Sequence, residues 1–255
     1  MSKLAVVALP VAIALLWHRA FAQDPPQTAR GDQKFFYGAE TDFNSAYVWH
    51  GIVITDGPVM QPSAWISAYG FTVITWSNLA LAKAPDGARL QDTGVIVTYA
   101  RDWKKLRIEP ALEAYLNRQP EDIDGSNTME GSVKLSFPAG PFRIFTIHAF
   151  DMLAYKGAYF GEVGLSYERH FTKRTELAAG VRSGWASSKF NDVYIGLDKA
   201  ALNFMGAEGM LTYHVRPHVY LQPHLEFSRS ADRQLREYLP SPTFVNLGLA
   251  IGIEF

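Results

Sequence analysis

Residues 245–255 alternate without a break: Val245, Leu247, Leu249, Ile251, Ile253 and Phe255 hold the odd positions, and Asn246, Gly248, Ala250, Gly252 and Glu254 the even ones. A side-chain period of two builds a β-strand with one apolar face and one small or polar face. Such a strand fits either the edge of a water-soluble sheet or a wall with lipid on one side and a polar interior on the other.

The opposite end of the chain separates the two. Lys3 precedes an apolar run from Leu4 to Trp17, and Ala20-Phe21-Ala22 offers a small-x-small cleavage site before Gln23. The pattern predicts a secretory signal over residues 1–22, too short to span a bilayer. Residues 23–33, with Asp24-Pro25-Pro26, read as a flexible periplasmic lead-in. No later stretch is apolar for about eighteen residues, so helical membrane spans are excluded. In an exported chain, the closing alternation and Phe255 are similar to the last strand of bacterial outer-membrane barrels. That resemblance implies recognition of Phe255 by the barrel-assembly machinery, although the glycine usual five positions earlier is Ala250 here.

Composition agrees. There is no cysteine, which removes disulfides and thiolate metal sites, and the formal charge of −1 provides no basic face for nucleic acid. About twelve segments of period two follow one another between Lys34 and Phe255. Tight turns at Tyr69-Gly70-Phe71, Trp103 to Lys105, Pro138 to Pro141, Phe171 to Arg174 and Arg216-Pro217 alternate with longer polar connections. Short turns at one end and long loops at the other are the geometry of a transmembrane antiparallel up-and-down β-barrel of about twelve strands. The expected domain is residues 34–255, a monomer in the bacterial outer membrane, in contact with its lipid.

Several strands declare their faces. Leu106, Ile108, Pro110, Leu112, Ala114 and Leu116 point to lipid, opposite Arg107, Glu109, Glu113 and Tyr115; a local bulge is expected at Pro110. Val163, Leu165 and Tyr167 oppose Glu162, Ser166 and Glu168, and Val219, Leu221, Leu225 and Phe227 oppose His218, Tyr220, Gln222, His224 and Glu226. Residues 71–81 and 142–151 alternate poorly and leave their faces open. The lumen candidates are therefore Glu109, Glu113, Glu162, Glu168 and Glu226, with Arg107, Arg182, His218 and His224. Carboxylate-rich walls select cations. The same residues could instead knit a salt-bridge lattice that plugs a narrow barrel, and the pattern alone does not choose.

His214, His218 and His224 with Glu226 supply metal-ligand residue types, but at no recognised spacing, so no cofactor or metal is expected. Barrel hydrolases carry a His-x-Ser pair on one strand face, and none of the seven histidines is followed by x-Ser. The nearest approach is His170-Phe171-Thr172. An enzyme is not expected.

Ser45-Ala46-Tyr47-Val48-Trp49-His50-Gly51, then Thr55-Asp56-Gly57-Pro58-Val59 and Gln61-Pro62-Ser63, resemble the opening of a bacterial family of porin-like proteins of unknown function, the TorF or Gcw type. The likeness covers about residues 42–80, and His50 stands where that family has arginine. It implies a porin-like barrel passing small solutes or ions. Read by themselves, Asp56-Gly57 suits a tight turn, and Tyr47 and Trp49 suit an aromatic girdle at the membrane surface. The functional expectation is passive diffusion of small polar solutes or cations, the alternative a non-conducting barrel that binds a partner.

Overall fold

The computed structural model describes residues 35–82, 90–117 and 127–255, so the expected signal and lead-in lie outside the described residues. In chain order the strands are β1 (Phe35–Asn44), β2 (Tyr47–Trp49), β3 (Ile52–Thr55), β4 (Val59–Ala68), β5 (Phe71–Ala80), β6 (Leu90–Tyr99), β7 (Arg101–Trp103) and β8 (Leu106–Asn117). They continue with β9 (Thr128–Ala139), β10 (Phe142–Asp151), β11 (Tyr159–Thr172), β12 (Thr175–Ala186), β13 (Ala201–Arg216), β14 (Val219–Ser230) and β15 (Thr243–Glu254). Two short helices, α1 (Ser188–Ile195) and α2 (Leu235–Tyr238), sit in the connections before β13 and β15.

Every long strand pairs antiparallel with its neighbours. The sheet closes through β1 and β15, in register from Gly38↔Glu254 to Asn44↔Gly248, and through β6 with β8. Twelve long strands make a closed barrel, with β7 prolonging β6 and with β2 and β3 forming a separate hairpin. Closure leaves no unpaired edge, which hydrocarbon demands because no water is there to satisfy one. Large apolar side chains such as Val73, Leu112, Ile144, Val181, Leu225 and Leu249 stand exposed around the outside. The polar members of the same strands are buried inside, as Leu225 (50 % exposed) between His224 (6 %) and Glu226 (1 %) illustrates. The apolar surface faces outward, so this is a membrane-spanning barrel.

Two expectations need correction. Pro110 causes no bulge: pairing runs to Thr98↔Ala111, lapses opposite the proline, and resumes at Arg101↔Ile108 in the same register. Lacking an N–H, the proline opens the ladder without adding a residue. Strand β1 ends at Asn44, and the chain turns into the β2–β3 hairpin. Tyr47 and Trp49 are accordingly buried inside and form no girdle. The hairpin turns at His50-Gly51, both of which have positive φ, 49° and 77°, as a two-residue primed turn requires, and Asp56-Gly57 lies in the short bend between β3 and β4.

Candidate functional site

The inner wall has two characters. Across β11 to β14 lies one cationic hub, where Arg182 sets its Nε 3.0 Å from Glu208, one Nη 3.4 Å from Glu162 and the other 2.5 Å from Glu226. The guanidinium also lies over the Phe204 ring, 5.1 Å from its centre. Three carboxylates about one planar fork satisfy several of its donors at once. A second lattice occupies β1, β4, β14 and β15. Asn44 donates to Asp42 and to Gln61, while His224 Nε2 lies 3.0 Å from Asn44 Oδ1 and 3.5 Å from Asp42. The Tyr220 hydroxyl donates to Glu40 at 2.6 Å.

The facing wall carries a large apolar cluster among its polar side chains. Trp65, Ile74, Trp76, Ile96 and Tyr115 are buried inside from β4, β5, β6 and β8, which is why β5 showed no lipid-facing alternation. There the buried Glu113 accepts from Trp76 Nε1 at 3.0 Å and from the Tyr115 hydroxyl at 2.7 Å. Glu109 pairs with Arg107 Nε at 3.0 Å.

Of the residues singled out from the sequence, Glu109, Glu113, Glu162, Glu226, Arg182 and His224 are buried in the lumen, and Arg107 and Glu168 are partly buried. His218 is a correction. It lies exposed in the turn between β13 and β14, where its ring stacks on Phe255 and its Nδ1 is 2.8 Å from the Glu254 carbonyl. The three clustered histidines also separate, with His214 opposite Tyr220 and His224 opposite Met210. Among the described residues no group of three or more His, Asp or Glu side chains is placed so that it could hold a metal ion.

The sequence did not reveal what closes the long-loop end. The β2–β3 hairpin folds inward and plants its tip among rings: His50 is 4.0 Å from Phe160 and 4.1 Å from Trp49, and its Nε2 lies 3.4 Å from Glu130. Helix α1 meets it there. Ser187 caps the helix by accepting from the Phe190 N–H, and Gly196, at φ 83°, ends it. Phe190 then stacks on Trp49 at 5.6 Å, and Tyr194 meets it edge-on at 4.8 Å. Burial, with Asp151 and Glu130 nearby, pushes the Tyr194 phenol well above its ordinary range, so it remains neutral. The available signals were Ser187, three residues before Phe190, and the positive-φ pair His50-Gly51.

No family model matches the chain, and no curated protein does. Solved structures do. An outer-membrane channel from Pseudomonas putida F1 superposes with a TM-score of 0.54 at 11 % identity, over 91 % of this chain and 99 % of its own. The NanC porin superposes with a TM-score of 0.51 at 14 % identity, over 86 % and 98 %. The fold is that of the outer-membrane channel barrels.

Proposed function

We propose that this chain is an outer-membrane channel for passive passage of small polar solutes, cations above all. The observation that supports the reading is the charge of the inner wall. Among the described residues eleven Asp and Glu side chains are buried, from Glu40 to Glu254, against one buried lysine, Lys134, and one buried arginine, Arg182. Fixed negative charge between low-dielectric walls concentrates cations. The likeness of residues 42–80 to the TorF or Gcw-type family supports the same placement, and Phe255 at the end of the closing strand is the group its assembly machinery would read.

A second reading rests on the inward hairpin. Trp49 packs on α1 at the long-loop end, and in this reading the hairpin obstructs the lumen there and passage requires it to withdraw. Reversal potentials across a salt gradient in a planar bilayer test the first reading. The expected result is cation preference, reduced when Glu109, Glu113 and Glu226 are changed together to Gln, and fading at high salt as the screening length falls to about 3 Å at 1 M. Anion preference would overturn it. Absence of channels, both in the native protein and after the hairpin is released, would favour the closed barrel.

A further inference from the structure

The lipid-facing side of β6 to β10 is not smooth. A groove of about 460 Å³ runs down it, lined by Phe71, Val97, Tyr99, Pro110, Leu112 and Phe150 among others. Its origin is local. Pro110 breaks the ladder opposite Tyr99, and Gly131, standing between Leu112 and Phe150 in register, contributes no side chain to the wall. His148 also lines the groove, on the outer face of β10. It is tied down by the Tyr159 hydroxyl, 2.9 Å from its Nδ1, and by Thr146, 3.3 Å from its Nε2. A polar floor in the apolar belt is thereby satisfied without water, and it explains why β10 alternates poorly.

The groove has a charged foot. Tyr99 and Phe71, 4.6 Å apart, lie at its short-turn end, and the next residue on the same outer face is Arg101, paired with Ile108. Trp103 follows, exposed, with the Lys104 ammonium 5.8 Å over its ring, and then Lys105. The nearby acid, Asp102, leans toward Arg107 at 3.8 Å. An apolar trough continuous with the lipid belt, ending in three cations and an interfacial tryptophan, matches an acyl chain joined to an anionic headgroup.

We propose that this groove is a binding site for an anionic glycerophospholipid of the leaflet on the short-turn side, its acyl chain along Leu112, Pro110 and Tyr99 and its phosphate at Arg101, Lys104 and Lys105. The site is separate from the lumen and does not depend on whether the barrel conducts.

The test is native mass spectrometry of the full barrel released from nanodiscs holding equal phosphatidylglycerol and phosphatidylcholine. The native protein should retain phosphatidylglycerol in several-fold excess. Arg101→Gln/Lys104→Gln/Lys105→Gln should lose that excess while still retaining lipid. Gly131→Leu, whose new side chain displaces the flexible end of Met152 and enters the groove, should lower retention of both lipids. Heat-modifiable gel mobility confirms that each variant is folded, and Val97→Trp fills the trough from the opposite wall if Gly131→Leu does not assemble. Equal retention of the two lipids by the native barrel, an unchanged ratio in the triple variant, or a second copy of the chain occupying this face would overturn the proposal.

Discussion

Gly51→Ala should release the inward hairpin while leaving the barrel wall intact. Gly51 sits at φ 77°, where a side chain costs about 1–2 kcal/mol. A Cβ there would also stand 2.3 Å from one ring carbon of Phe204 and 2.7 Å from another. Phe204 has little room to yield, being buried between the Phe160 ring, 6.3 Å away and parallel, and the Arg182 guanidinium. Overpacking of this kind adds about 1–3 kcal/mol. The backbone cost belongs to the turn and is shared by the withdrawn hairpin, whereas the overpacking, about 1–3 kcal/mol, acts on the seated hairpin alone. At about 1.4 kcal/mol per tenfold, the withdrawn population should rise by about 5-fold to 100-fold. The protein has no cysteine, so Val48→Cys, at a position 2 % exposed, provides a single reporter. Maleimide labelling of Val48→Cys in lipid should accelerate by at least about 5-fold when Gly51→Ala is added, and single-channel recordings should show more frequent opening. Unchanged labelling with a folded barrel would refute the claim that this turn holds the hairpin in place.

The remaining expectations concern the wall and the outer loops. Leu225→Arg, on the lipid face, should cost about 2–4 kcal/mol near the bilayer midplane, whereas Gln222→Asn on the inner face should cost far less; folding titrations into lipid compare them, and equal costs would contradict the assigned faces. Arg182→Met leaves Glu162, Glu208 and Glu226 facing one another and should destabilise by about 3–5 kcal/mol, with part of the loss recovered by adding Glu226→Gln, as read from denaturant midpoints. In the outer loops, Lys199 donates to Asp232 at 2.6 Å, and this bond holds the Asp232 carboxyl below its ordinary range, helped by the Gln234 and Leu235 N–H groups that it accepts. A depressed folded-state pKa gives stability that is present above the unfolded value, near 3.9, and lost as pH falls through the folded one. Proteolysis between residues 197 and 240 by an acid-active protease should therefore quicken below about pH 4, and Asp232→Asn should show the faster rate already at neutral pH.

The sequence carried the barrel because lipid and a polar interior impose opposite demands on neighbouring residues, and period two is the only pattern that meets both. It failed where one side departed from its usual character. In β5 the interior is itself apolar, with Ile74 and Trp76 inside, so alternation between Val73, Ile74, Thr75 and Trp76 vanishes. In β10 the lipid side holds Thr146 and His148, tolerated because their polar atoms bond to each other, to Tyr159 and to the Glu162 carbonyl.

The inward hairpin was hidden for a third reason. Ala46, Tyr47, Val48 and Trp49 are buried on both faces, so their run reads as more strand, and only the turn geometry at His50-Gly51 distinguishes the two. The same limit applies to the charged wall. Strand parity places Glu162, Arg182 and Glu226 on the inside, but their meeting at one guanidinium depends on the staggered registers of four strands, which no single strand records. Parity therefore identifies the lining of such a barrel, while register and inward loops decide whether that lining surrounds a path or fills it.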